Sequence, residues 1–239
     1  MLETGNKNIV LVVGKPTSGK TASLRNMPNP DKIAYLNTDM KEVSFNSNMQ
    51  ELSISDPMDI FQAIEEIESN PLEMGVLDTV SFLMDQFEQQ YVLTSANTQK
   101  AWGDYASFYK KVIHALKAGT KDYVVMAHVR DILNESEMVL ESKVPIKGSV
   151  GHTGIEADFS IILGSKRVNL KTLKGMENEL LTINEEEMED GFKYVFQTRI
   201  DKDSLGEKMR SPIGLFNRNE KYIDNDLNKV FQRIHKYYS

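Results

Sequence analysis

Short, continuous apolar runs alternate with amphipathic stretches through the first half of the chain. "NIVLVV", Asn8 to Val13, is apolar nearly throughout and stops at Gly14. A run of that length and character predicts a strand buried on both faces, as in a parallel sheet. "TASLRNM" after it reads as a short helix that the following prolines end. "KIAYLNTD" (Lys32 to Asp39) is the second strand and "QELSIS" (Gln50 to Ser55) a weaker third. "DPMDIFQAIEEIE" opens with Asp56 as N-cap and Pro57 at the first helical position, and Ile60, Ile64 and Ile67 line one face. "EMGVLDT" (Glu73 to Thr79) is a strand ending on Asp78, and "VSFLMDQFEQQYVLTSA" continues as helix. In "GDYASFYKKVIHALKAG", Tyr105, Phe108, Tyr109, Val112, Ile113 and Leu116 keep helical spacing, with Gly119 as the stop. "YVVMAH" (Tyr123 to His128) is the next buried strand.

The pattern changes after His128. About 130–154 is long, polar and without a convincing element. "FSIILG", "RVNLKTL" and "KYVFQTR" predict further strands, with hairpin-like turns between the later ones. At the C-terminus, about 225–238, Leu227, Val230, Phe231 and Ile234 define an amphipathic helix. Strands alternating with helices as far as residue 128 imply an α/β fold with a mostly parallel central sheet flanked by helices. The later strands extend it antiparallel at one edge. No repeat, low-complexity tract or linker divides residues 1–239, so one domain is expected.

Composition narrows the chemistry. The chain has 239 residues, 40% hydrophobic and 26% charged, with no cysteine. Disulfides, thiolate metal sites and cysteine nucleophiles are thereby excluded. No apolar run approaches the roughly 18–20 residues of a membrane span. "MLETGNKN" shows no apolar signal core, so a cytoplasmic location is the default expectation. The net charge of −7 argues against coating nucleic acid by bulk electrostatics. It leaves room for a local basic groove, because five acids are concentrated in "INEEEMED", Ile183 to Asp190, which reads as a solvated turn or edge.

"GKPTSGKT", Gly14 to Thr21, follows the first buried strand. Two glycines, then lysine and a hydroxyl residue at this spacing, form a phosphate-binding loop. Gly14 allows the tight turn, and Gly19 lets backbone N–H groups approach phosphate oxygens. The loop Gly14, Lys15, Pro16, Thr17, Ser18, Gly19, Lys20, Thr21 and Ala22 would hold a nucleoside triphosphate, which the resemblance given below implies is ATP. Lys20 reaches the β- and γ-phosphates, and the Thr21 hydroxyl ligates Mg²⁺. Lys15 reads as solvated rather than catalytic. Asp78 emerges at the C-terminal edge of the sheet, where open α/β sheets bind ligands, and is the second expected Mg²⁺ ligand. It also fits an N-cap of the next segment, and the two roles are compatible.

The order of these features carries a resemblance. "AYLNTD" ends in an acid, "LDT" follows, then "VVMAH" ends in a polar residue before a long polar loop, and "WGDYA" precedes a long helix. This order resembles the ATPase core of RecA-like recombinases. More closely it resembles the small phage-encoded RecA-like ATPases associated with single-strand annealing and recombination. The resemblance implies that Asp39 stands where a Glu orients the attacking water, one methylene shorter; otherwise it is a turn or cap residue. It implies that His128 senses the γ-phosphate, and that 130–154 is a mobile DNA-binding loop with Arg130, Lys143, Lys147 and His152 as contacts. Asp131, Glu135, Glu137 and Glu141 make that loop less than a plain basic patch. It further implies that Lys208 and Arg210, in "EKMRSP", enter a neighbour's ATP site.

The resemblance therefore implies an ATPase, slow and stimulated by single-stranded DNA. It would act in annealing or recombination in a host cytoplasm, self-associate into a ring or filament, and work with a single-strand-binding protein, without a membrane. A different class stays open: a nucleotide-dependent assembly switch or partner-loading module with negligible turnover. Asp39 in place of Glu and the net acidity favour it. A kinase would need a lid, and no arginine-rich lid pattern is present.

Overall fold

The computed structural model describes residues 5–136 and 138–239. Glu137 and the first four residues, on which parts of the sequence reading fall, lie outside the described residues. Eight strands form one sheet: β1 (Ile9–Gly14), β2 (Ile33–Asn37), β3 (Gln50–Ser53), β4 (Met74–Asp78), β5 (Asp122–His128), β8 (Ile161–Asn169), β9 (Phe192–Gln197) and β10 (Tyr222–Asp224). A separate hairpin pairs β6 (Arg130–Asn134) with β7 (Val139–Lys143). The order across the large sheet is β10-β9-β8-β1-β5-β4-β2-β3. β3, β2, β4, β5, β1 and β8 run parallel, while β9 and β10 join antiparallel at one edge. This is the mostly parallel sheet with an antiparallel edge that the apolar runs predict.

The helices are α1 (Ile60–Ser69), α2 (Val80–Phe87), α3 (Thr98–Ala118), α4 (Gly148–Thr153), α5 (Leu170–Leu173), α6 (Glu185–Asp190) and α7 (Leu227–Tyr238). β1 shows why its sequence is apolar without alternation. Ile9, Leu11 and Val13 enter a core with α1, α2 and α3, whereas Val10 and Val12 enter an opposite core with α7. Successive side chains of a strand point to opposite faces, so a strand covered on both must be apolar at every position. The parallel registers set Gly14 opposite His128 and Asn37 opposite Asp78. The C-terminal ends of β1, β5, β4 and β2 thus share one edge.

Three expectations need correction. Beyond the phosphate loop the chain makes only a 3₁₀ turn, Thr21–Leu24, not an α-helix. Pro28 bars any continuation, and the Ser23 hydroxyl donates to the Lys20 carbonyl, competing with the helical ladder. "FSIILG" and "RVNLKTL" do not form two strands. Ile161 to Asn169 is one continuous strand, and Leu170–Leu173 is a helical turn capped by the Asn169 side chain. Finally, 130–154 is not featureless: it holds the β6–β7 hairpin and α4. β6 is exposed at four of its five positions, so no buried face printed an alternation on its sequence.

Candidate nucleotide-binding site

The phosphate loop is shaped by close approach. A Cβ on Gly14 would lie 2.3 Å from Ser18 Oγ and 2.7 Å from the Ser165 carbonyl, so no larger residue fits. Gly19 sits at φ +93°, a region open mainly to glycine, and Thr17 at +60°. Beneath the loop, Ser165 Oγ donates to the Ser18 carbonyl at 2.8 Å, and Asn225 Nδ2 donates to Ser165 Oγ at 3.1 Å. Both supports are buried, and together they tie the loop to β8 and to the segment after β10.

Lys20 lies within the loop with 6% of its surface exposed. An ammonium has three donors. They reach the Gly14 carbonyl at 3.0 Å, the Lys15 carbonyl at 3.1 Å and His128 Nδ1 at 3.3 Å. Because the ammonium can only donate, His128 Nδ1 is the acceptor and the ring proton sits on Nε2. Burial lowers the Lys20 pKa to about 8, opposed by the nearby carboxylates of Asp78 and Asp39. Burial, then the Lys20 charge, lowers His128 to about 4, so its ring is neutral at physiological pH.

Asp78, at the end of β4, is 5% exposed. Its Oδ2 accepts from Thr21 Oγ1 at 2.6 Å and from Tyr35 Oη at 2.8 Å. Burial raises the Asp78 pKa, while these two hydroxyls and Lys20 oppose the rise. The N-cap role falls to Thr79, whose side chain accepts from Phe82 N, which leaves Asp78 to the site.

This geometry fits a triphosphate and Mg²⁺. Thr21 and Asp78 converge as a hydroxyl and a carboxylate, the hard oxygen donors that Mg²⁺ prefers, and Mg²⁺ commonly uses one or two carboxylates plus phosphate oxygens. Ser18 Oγ in the loop, and Asn225 Oδ1 against it, are buried without hydrogen-bond partners. Pro16 through Ala22, Asp39, Asp78 and His128 all line one cleft of about 680 Å³. Gly14 and Lys15 face an adjoining cavity of about 820 Å³, which meets the cleft at Pro16–Ser18.

The remaining candidates are placed less uniformly. Asp39 pairs with Lys41 at 3.3 Å. Lys208 lines the adjoining cavity of its own chain. Arg210 is committed at home: its guanidinium donates to the carbonyls of Glu156 (2.7 Å), Ala157 (3.2 Å) and Phe159. Arg130, Lys143, Lys147 and His152 line neither cavity. Lys143 pairs with Glu141 at 2.5 Å and Lys147 with Glu88 at 2.7 Å. The sequence reading missed Tyr35, Ser165 and Asn225. Tyr35 sits in β2 two positions before Asn37, the register partner of Asp78, and strand parity was the available signal. No local signal marked the other two.

A glycine-bounded loop after a central parallel strand, with Lys20, Thr21 and Asp78 converging, defines a P-loop nucleotide-binding protein. The chain belongs to a family described as the AAA domain, whose model matches residues 6–201. No curated protein matches the sequence. Among solved structures it is similar to a KaiC-like protein from the hyperthermophilic archaeon Pyrococcus horikoshii, with a TM-score of 0.45 and 10% identity over 84% of this chain and 82% of that one. Among the described residues, no helix is long and apolar enough to cross a membrane.

Proposed function

We propose that this is a RecA-like, Mg²⁺-dependent ATPase that binds single-stranded DNA and serves annealing or recombination. The observation that carries the nucleotide half is the convergence of Lys20, Thr21 and Asp78 at one sheet edge. Thr21 and Asp78 would hold Mg²⁺, which neutralises charge on the phosphates when bound. Lys20 exchanges one internal acceptor for a phosphate oxygen. Asp39 accepts a hydrogen bond from the attacking water. In-line attack then forms the bond to the terminal phosphorus and breaks that to the bridging oxygen, releasing ADP and inorganic phosphate. His128, beside Lys20, is suited to report the terminal phosphate through its Nε2–H.

The DNA half is supported by the position of the β6–β7 hairpin and α4, directly after the strand that ends at His128. Arg130 and His152 are exposed there. A specific observation favours the second reading, a nucleotide-dependent assembly module. Ile132, Leu133, Met138 and Leu140 are all more than half exposed on the hairpin, while two of the four candidate cations are in ion pairs. Apolar exposure of that kind suits a protein contact. ATP turnover measured with and without single-stranded DNA separates the two. Stimulation, lost in Lys20→Ala, is the expected result; a rate indifferent to DNA, with no gel shift at low salt, would discard the DNA role.

A further inference from the structure

A triphosphate in a P-loop has a polarity. Lysine serves the β- and γ-phosphates and the loop's backbone amides the α- and β-phosphates, so ribose and base leave from the Ala22 end. The 680 Å³ cleft that includes Ala22 and Arg25 is also lined by two aromatic side chains of β9, Phe192 and Tyr194. Two residues apart on a strand, they project from the same face. Their rings meet edge to face with centroids 5.8 Å apart, and Arg167 lies over the Phe192 ring at 5.2 Å. Tyr194 is 36% exposed, and its ring lies against the phosphate loop: a Cβ on Gly19 would be 3.0 Å from Tyr194 Cδ1. The cavity on the other side of the loop has no aromatic side chain among its lining residues. Within the cleft, Tyr35 is buried and its hydroxyl is engaged by Asp78.

We propose that Tyr194, with Phe192 beside it, is the base platform of the cleft and that it takes a purine base by stacking. This rests on the reading of the P-loop as a nucleotide site. Stacking grows with ring overlap, so a purine is held more firmly than a pyrimidine, and a pure stacking contact distinguishes adenine from guanine poorly.

Calorimetric titration of the full chain with Mg·ATP, Mg·CTP and Mg·tripolyphosphate tests this, because tripolyphosphate occupies the loop without a base. The wild type is expected to bind ATP more tightly than CTP. Tyr194→Ala is expected to lose on the order of tenfold or more in ATP affinity relative to tripolyphosphate. Tyr194→Phe, which keeps the ring, restores it, and Phe192→Ala gives a smaller loss in the same direction. An unchanged ATP-to-tripolyphosphate ratio in Tyr194→Ala overturns the platform. So does an equal loss of both ligands, which would mean that Tyr194 only braces Gly19. Equal wild-type affinity for CTP and ATP overturns the purine preference. A wild type that binds neither ATP nor tripolyphosphate overturns the nucleotide reading itself, and the platform with it.

Discussion

Lys20 is a buried cation among acceptors, and that environment gives nucleotide binding a pH dependence. With a pKa of about 8, Lys20 is charged below that value and loses its proton as pH rises through it. Phosphate needs the charged form. ATP affinity should therefore fall about tenfold between about pH 7 and pH 9, the range in which an ordinary lysine stays charged. Titrations at both pH values check this, and Lys20→Arg should flatten the dependence because guanidinium keeps its proton. Tyr35 supplies the second residue-scale prediction. Its hydroxyl is one of two that donate to the buried Asp78 Oδ2. Tyr35→Phe removes a bond that holds the Asp78 pKa down against burial, so Asp78 protonates at a higher pH. The acid limb of Mg²⁺-dependent activity should move upward, and Mg²⁺ affinity should drop by roughly ten- to a hundredfold, as for outer partners of metal ligands. An unmoved limb would remove Tyr35 from the site. The P-loop was legible because its chemistry is local in sequence. Tyr35 was not, because only the pairing of β2 with β4 brings it to Asp78.

At the scale of elements, burial decided what the chain disclosed. Strands covered on both faces wrote themselves as unbroken apolar runs, and α3 and α7 wrote helical stripes. The β6–β7 hairpin packs neither face into a core, so its sequence carries charges and apolar residues side by side. The 3₁₀ turn at Thr21 misled for another reason: local propensity allowed a helix, but the Ser23 hydroxyl competes for the Lys20 carbonyl. What fixes this turn instead is α7. Arg25 donates to the Asn225 carbonyl at 3.1 Å, and Asn26 donates to Asp226 Oδ2 at 2.8 Å. The Asp226 carboxylate also caps α7 by accepting from Asn228 N and Lys229 N. Asp226→Ala should lower stability by about 1–2 kcal/mol, the usual effect of losing an N-cap, measured as a fall in the urea midpoint at unchanged slope. Because the same side chain holds Asn26, bound ATP should stabilise the variant less than the wild type. Equal stabilisation would show that α7 does not reach the loop.

For the whole molecule the open matter is whether one chain completes a site. Lys208 and Arg210 are the two candidates for a role across a subunit boundary, and their surroundings differ. Arg210 binds three carbonyls of its own chain and pairs through its backbone with Ile162, so it braces the segment before β8. Lys208 is exposed and sits in the cavity beside the P-loop. Arg210→Ala should therefore lower the thermal midpoint, whereas Lys208→Ala should leave it in place and lower turnover. Mixing then tells trans from cis. Lys20→Ala should be inactive alone, and Lys208→Ala should turn over well below the wild type. If Lys208 serves a neighbour, mixed assemblies contain sites with an intact Lys20 from one chain and an intact Lys208 from the next, and activity reappears in the mixture. If Lys208 serves its own loop, no ratio of the two variants recovers turnover, and the shared-site reading is lost. The net charge of −7 makes the assembly step sensitive to salt: like-charged chains repel over a screening length of about 10 Å at 0.1 M. Recovery should accordingly rise with moderate ionic strength if apolar contacts such as the exposed hairpin residues join the chains, and fall if ion pairs do.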